Sequence, residues 1–294
     1  MLVITNAKAG TTDAENVRRA VDALRAGGTE EVTVVPCAEP DQLDKLLAEH
    51  DATTVVAAGG DGSIHALVRA LHRRGELDRR TVGLLPLGTG NDLARNLGIP
   101  LDPGEAARLL LTGRPRELDL LVDDGDDIAV NAVHVGVGAA AAAAATRFKP
   151  YLKTAAFPVG AVLAGIRHPG WRLRVEADGE TVADDRVLMV ALSNAPAIAG
   201  GAGRLAPGAS PRDGLLDLVV SAATGPVARV GYALGLRDGT HQHRADVVRR
   251  TATRVTVRGE PFPINSDGEV SGPVEHRTWT VSPRAWRIVA PPVT

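Results

Sequence analysis

The sequence predicts an α/β fold, with an N-terminal doubly wound α/β domain over residues 1–117 and a C-terminal β-sandwich-like domain over 118–294. Three observations carry this expectation. In the first third of the chain, apolar runs of strand length alternate with helical patterns, which gives a mostly parallel sheet covered on both faces. Two of those runs end in glycine turns, Gly59-Gly60-Asp61-Gly62-Ser63 and Gly88-Thr89-Gly90-Asn91-Asp92, and each turn leads into a helical pattern. From about Arg116 onward the pattern becomes short strands separated by tight turns.

Met1 to Asn6 reads as the first strand. After the Asn6 to Thr11 loop, Thr12 and Glu15 have capping-box spacing, and Val17, Ala20, Val21 and Leu24 repeat at helical intervals until Gly27-Gly28. Glu31 to Pro36 is the second strand and Pro40 to His50 the second helix. Thr53 to Ala58 and Thr81 to Leu87 are the strands before the glycine turns, with helices starting near Ser63 and Asn91. In the second domain, strands are expected at Glu117–Val122, Ile128–Val137, Trp171–Ala177, Thr181–Asp185, Arg186–Ser193, Leu215–Ser221, Thr253–Arg258 and Arg277–Val281. The first two are joined by an Asp123–Asp127 hairpin, and Asp178-Gly179 marks another turn. Helices are expected at Ala139–Arg147, Thr154–Arg167 and Val227–Leu236.

A chain of 294 residues with 44% hydrophobic content has room for two cores and is not a disordered sequence. Its formal net charge of −2 and 3% aromatic content leave neither a basic footprint nor stacking platforms, so nucleic acid is set aside as a partner. The single cysteine, Cys37, excludes an internal disulfide and fits a reducing compartment. Met1 to Asn6 lacks a charged leader, and the weakly polar stretch Ile128 to Ala145 is interrupted by Asn131 and His134. A membrane span needs roughly 20 strongly apolar residues, so a cytoplasmic protein without a transmembrane segment is expected. A homodimer is left open.

The glycine turns carry the chemistry. Glycine lets main-chain N–H groups approach a ligand with no Cβ in the way, and a following helix presents its positive end there. Ligands of such sheets bind at the carboxyl ends of the strands, where both turns fall. No Gly-x-x-x-x-Gly-Lys-Ser/Thr sequence is present, and Leu93 stands where a dinucleotide fingerprint needs its third glycine. Asp61 instead puts a carboxylate where phosphates would arrive, which implies a hydrated Mg²⁺ between them. The helix starting near Asn91 points its positive end at the same site. His241 and His243 have a spacing that suits a metal, but no further ligand completes a set, and a polar loop is expected.

Five segments in order resemble the diacylglycerol kinase catalytic family, which includes bacterial lipid kinases and the sphingosine and ceramide kinases. Ile4 to Gly10 is similar to its first strand and asparagine-containing loop, Gly59 to Ser63 to its Gly-Gly-Asp-Gly-Thr turn, and Pro86 to Ala94 to its Pro-Leu-Gly-Thr-Gly-Asn-Asp segment. Ala199 to Pro207 with Asp213-Gly214-Leu215-Leu216-Asp217, and Asp267-Gly268-Glu269, resemble its two later motifs. The resemblance spans essentially the whole chain.

It implies an ATP- and Mg²⁺-dependent lipid kinase acting on a diacylglycerol-like or sphingoid hydroxyl. Asn6, Gly59, Gly60, Asp61, Gly62, Ser63, Ile64, His65 and Thr89 would line the ATP site. Asp61, Asp92 and Asp119 would hold a water-and-magnesium network, with Asp61 part of the catalytic set. The base taking the substrate proton would be Glu269 or Asp267. A structural cation would sit at Asp213 with Ser210 and Leu215. The lipid would be met at a membrane surface, peripherally and from the inner face, and Tyr151 to Trp171 has a composition suited to shallow contact. Two departures stand out: Thr11 replaces a lysine found in some relatives, with Lys8 three residues earlier, and Cys37 replaces a nucleotide-contacting threonine. The rivals are a kinase of a soluble acceptor such as NAD or a sugar, and a non-catalytic nucleotide-binding protein.

Overall fold

The computed structural model describes residues 1–6, 11–28, 31–39, 41–137, 139 and 169–292. The chain divides into two compact units, Met1–Leu118 with Arg284–Thr294, and Asp119–Pro283. The expected helix at 139–147 apart from Ala139, the expected helix at 154–167, Lys8, and most of the 151–171 stretch lie outside the described residues.

The first unit is built on β1 (Leu2–Asn6), β2 (Thr33–Cys37), β3 (Thr54–Gly59) and β4 (Thr81–Pro86), in the order β2-β1-β3-β4 and all parallel. Among the described residues five helices belong to it: α1 (Thr11–Ala26), α2 (Gln42–Glu49), α3 (Asp61–Arg73), α4 (Asp92–Leu97) and α5 (Pro103–Thr112). Side chains alternate across a strand, so Val3, Val56, Ala58 and Leu85 share one face, where they pack against Ala20 and Leu24 of α1 and Ala106, Ala107 and Leu110 of α5. Leu2, Ile4, Val55, Ala57 and Leu84 have the opposite parity and are equally buried, so both faces are covered. Helix α3 begins at Asp61, two residues before the expected start.

Helix α5 is not in the expected element series, although its start is written in the sequence. Asp102 caps it by accepting from the Gly104 and Glu105 N–H groups at 2.9 and 3.0 Å, and Pro103 fills the first helical position, where a missing N–H costs nothing. Opposite the glycine turns, Arg80 closes the α2–β3 and α3–β4 loops. It donates to the Leu47, His50 and Ala52 carbonyls and to Glu76 at 2.7 Å. Both partners are buried. Burial pushes the Glu76 carboxyl up, but hydrogen bonds and charge from Arg74 and Arg80 outweigh it and hold the group below its usual range.

The second unit is antiparallel. Its strands are the end of β5 (Arg114–Asp123), β6 (Ile128–Ala129), β7 (Ala132–Gly136), β8 (Trp171–Ala177), β9 (Glu180–Val187), β10 (Met189–Ser193), β11 (Leu216–Ser221), β12 (Val247–Ala252), β13 (Arg254–Ser266) and most of β14 (Glu269–Ala290). The path is β12-β11-β10-β7-β13-β14, with β8 pairing β13 and β9. One core gathers Val133, Val135, Leu192, Phe262 and Trp279, and the other face packs Ala191, Leu205 and Val219 with Tyr232 of α6 (Pro226–Asp238). The expected 128–137 strand is broken at Val130 and Asn131, because the N–H groups of both turn to a side-chain carboxylate rather than to a neighbouring strand. β12 was not anticipated, and β14 extends far past the expected 277–281. His241 is not in an exposed polar loop: it is buried in a short 3₁₀ turn (Thr240–His243), bonded to the Leu205 carbonyl at 3.0 Å, and burial lowers its pKa.

Candidate functional site

In the first unit the parallel strands bring Asn6, Cys37, Gly59 and Pro86 to one sheet edge, their carboxyl ends. The two glycine turns grow from neighbouring strands there and press against each other. A Cβ on Gly88 would lie 2.5 Å from the Gly60 Cα, and one on Gly60 would lie 3.0 Å from the Gly88 Cα. A Cβ on Gly59 would collide with the Ser63 hydroxyl at 2.2 Å. These glycines are thus required by close approach, not by a left-handed backbone. Gly62 differs: a Cβ there would meet nothing within 4 Å, so its side of the turn faces open space.

Asn91 locks the second turn. Its backbone is left-handed (φ 53°), a conformation that asparagine tolerates better than most residues. Its side-chain Oδ1 accepts from the Gly88 N–H at 3.1 Å, and Nδ2 donates to the Gly88 carbonyl at 2.6 Å. Asp61 stands in the first turn of α3, and its Oδ1 accepts from the Leu93 N–H at 3.3 Å, joining the starts of α3 and α4. Asp92 opens α4, Ser63 is half-buried, Ile64 and His65 are buried inside α3, and Asn6 and Thr89 are exposed. The edge therefore combines two close-packed glycine turns, a helix N-terminus and two carboxylates. Among the described residues, no group of three or more His, Cys, Asp or Glu side chains could hold a metal ion by itself.

The remaining expected residues belong to the second unit. Asp119 is fully buried; its Oδ2 accepts from the Gly214 N–H at 2.8 Å and its N–H donates to the Pro211 carbonyl. It thereby fixes the loop that carries Ser210, Asp213 and Leu215. Asp213 is exposed and accepts from the Leu215 N–H at 3.0 Å, shaping its own turn.

Asp267 and Gly268 form a two-residue hairpin between β13 and β14, both at positive φ (52° and 103°), with Ser266 opposite Glu269. The Asp267 carboxylate reaches across to the gap between β6 and β7. It accepts from the Val130, Asn131 and Ala132 N–H groups at 2.6, 2.9 and 3.0 Å. The Asn265 side chain braces the hairpin through the Gly268 N–H at 2.7 Å. Glu269, the first residue of β14, is exposed.

The structure adds polar residues that the sequence did not single out. Asn194 donates to the Asp119 and Val130 carbonyls at 3.1 and 3.0 Å. His134 lies opposite Asn265 on β7, and burial pushes its imidazole down to about 4 despite the opposing Asp267 charge, so it is neutral at pH 7. Only Asn194, at the head of the Asn-Ala-Pro turn, carried a local signal.

Residues 1–122 match the diacylglycerol kinase catalytic domain, and residues 131–290 match the YegS C-terminal NAD kinase beta sandwich-like domain. The chain is 34% identical over 304 residues to a protein named "Probable lipid kinase YegS-like" from Pseudomonas aeruginosa (strain UCBPP-PA14), covering 99% of this chain and 94% of that one. It is 30% identical over 236 residues to the diacylglycerol kinase of Bacillus subtilis (strain 168), covering 78% and 75%. Its fold matches the crystal structure of a diacylglycerol kinase from Bacillus anthracis str. Sterne with a TM-score of 0.74 at 20% identity, over 99% of this chain and 96% of that one. With both of its units matched in order, the chain belongs to the diacylglycerol kinase family, in the form that carries the YegS-type C-terminal domain.

Proposed function

We propose that this protein is an ATP- and Mg²⁺-dependent lipid kinase that transfers the γ-phosphoryl group of ATP to a hydroxyl of a diacylglycerol-like or sphingoid lipid. The observation that carries the reading is the pair of interlocked glycine turns at the carboxyl edge of the first unit's sheet, in a chain of this family. Main-chain donors held so close together suit phosphate oxygens, and the open side of Gly62 leaves room for them. Asn6, Gly59 to His65, Thr89 and Asn91 would line the nucleotide site, with Asn91 acting through the turn it locks.

Mg²⁺ is held by one or two carboxylates together with waters and substrate phosphates, so Asp61 and Asp92 fit it without a closed protein cage. When bound, it would neutralise charge on the transferring phosphoryl group. Asp119 is read as a buried support beneath the Asp213 segment, and Asp213 with Ser210 and Leu215 as a stabilising cation site. Of the two acids in the hairpin, Glu269 is the proposed base. Both oxygens of Asp267 already accept main-chain hydrogen bonds, whereas Glu269 is exposed at the first residue of β14. Glu269 would take the hydroxyl proton as the phosphoryl group arrives, and Asp267 would fix the hairpin that presents it. No described helix is long and apolar enough to cross a membrane, so the enzyme would reach its lipid from the surface, at the inner face of the cytoplasmic membrane.

The test is transfer of labelled γ-phosphate from ATP with Mg²⁺ to diacylglycerol, sphingosine, ceramide and phosphatidylglycerol in mixed micelles, with NAD and a hexose phosphate as soluble controls. Label in one lipid, abolished by Asp61→Asn, is the expected result. Label only in a soluble control would overturn the lipid acceptor, and ATP binding without transfer would overturn catalysis.

A further inference from the structure

Helix α6 of the second unit is apolar on both sides. Ala228, Tyr232 and Leu236 pack into the core with Leu205 and Val219. On the outward side, Val227, Val230 and Leu234 are 87%, 61% and 69% exposed, more than any other large apolar side chain among the described residues. Together with Gly231 they line a shallow apolar groove. A surface helix ordinarily carries polar residues on that side, and an outward apolar stripe beside an inward one is built to be covered.

The spacing extends the stripe. Val227, Val230, Leu234 and Arg237 stand at i, i+3, i+7 and i+10, one helical face, and Arg237 is exposed at its C-terminal end. Arg204 lies at the same end: its N–H donates to the Leu236 carbonyl at 2.8 Å, and its aliphatic stem runs beside Gly239, immediately after the helix. Asp238 is the acidic residue of this rim, which leaves one positive charge in surplus.

We infer that this face of α6 is a docking surface for a lipid bilayer containing anionic lipid, with Val227, Val230 and Leu234 entering the interface and Arg237 and Arg204 at headgroup level. The inference deepens the lipid-acceptor reading and rests on it for the choice of occupant. Size argues against a second copy of the chain. The stripe is about 15 Å long, one helix wide, and far short of the roughly 800 Å² per partner that a stable protein interface needs. A bilayer requires no complementary shape and accepts a narrow apolar stripe. The single surplus charge makes anionic lipid a modest aid and apolar contact the main one.

The test uses the full chain without ATP, so that it does not depend on turnover. Co-sedimentation is measured with vesicles of phosphatidylcholine alone and of phosphatidylcholine with phosphatidylglycerol, for the wild type, Val230→Glu/Leu234→Glu, and Val227→Ser/Val230→Ser/Leu234→Ser. All of these positions are exposed, and a matching melting temperature checks that each variant is folded. The expected result is vesicle binding by the wild type, strengthened up to about fivefold by phosphatidylglycerol, and reduced tenfold or more in both variants. Equal binding by folded variants, or no binding by the wild type, overturns the surface. So does a concentration-dependent doubling of mass that the variants abolish, since that would assign the stripe to a second copy. Failure of the lipid-kinase reading would appear separately, as absence of phosphate transfer from a protein that still binds vesicles.

Discussion

At the β13–β14 hairpin, the Asp267 carboxylate accepts three main-chain N–H groups, while Glu269, two residues on, is exposed. The two acids therefore predict different mutant behaviour. Glu269→Gln should lower kcat by roughly 10²- to 10⁴-fold with an unchanged melting temperature. Asp267→Asn would aim an amide at main-chain donors and should cost about 1.5–3 kcal/mol of stability, measurable by urea denaturation. The reverse pattern would return the base to Asp267. The glycines divide in the same way. Gly88→Ala places a Cβ 2.5 Å from the Gly60 Cα and should disrupt both turns, lowering the melting temperature and ATP affinity together. Gly62→Ala meets no protein atom and adds a helix-favouring residue to α3, so the fold should keep its stability while KM for ATP rises. An unchanged KM would remove Gly62 from the nucleotide cradle. The sequence singled out both acids and all these glycines, but not which contact each one makes.

Among the elements, the Arg80–Glu76 pair shows how the loops far from the glycine turns are held. Arg80→Ala would leave Glu76 paired with Arg74 but take the shared donor away from the Leu47, His50 and Ala52 carbonyls, at a cost of roughly 3 kcal/mol measurable by urea denaturation. The folded Glu76 carboxyl titrates below its ordinary value of 4.5. Its contribution is therefore complete above that pH and is lost as pH falls through the lower folded value. Urea midpoints measured from pH 7 down to pH 3 should fall less steeply in Glu76→Gln than in the wild type; parallel curves would show that other carboxylates dominate the acid transition. Helix α5 depends on its cap, so Asp102→Ala should lower the melting temperature and Asp102→Asn should largely preserve it. The strands before the glycine turns were legible because each is a continuous apolar run. β12 was not, because its Val-Val-Arg-Arg-Thr-Ala sequence exposes four of six residues at an edge and lacks alternation.

At the scale of the whole molecule, the chain leaves the first unit at Leu118 and re-enters it at Arg284. The end of β14 adds a parallel strand beside β4, with Arg287 opposite Thr81 and Ile288 opposite Val82. Trp286 and Ile288 are fully buried, and Val289 packs with Val3, Val56 and Leu85. Removing residues 284–294 should therefore destabilise the first unit, although these residues lie at the far end of the sequence. Hydrogen exchange should show lost protection in β3 and β4 while β10 and β11 keep theirs. Retained protection in β3 and β4 would mean that the terminal strand is dispensable.

The sequence by itself determined the α/β first unit, the strand-rich second unit, both glycine turns and the order of the acidic motifs. These are local properties: hydrophobic period, turn chemistry and main-chain permission are all written within a few residues. Only the tertiary structure decided that Gly60 and Gly88 touch, that Asn91 locks Gly88, that Asp267 spends its carboxylate on Val130 to Ala132, and that the last strand belongs to the first unit. Apart from the Asn91–Gly88 lock, which spans three residues, those contacts join residues 28 to 137 positions apart or the two ends of the chain, and their partners follow from strand order and register. Strand order and register are set by the simultaneous burial of every strand, which no local window of sequence records.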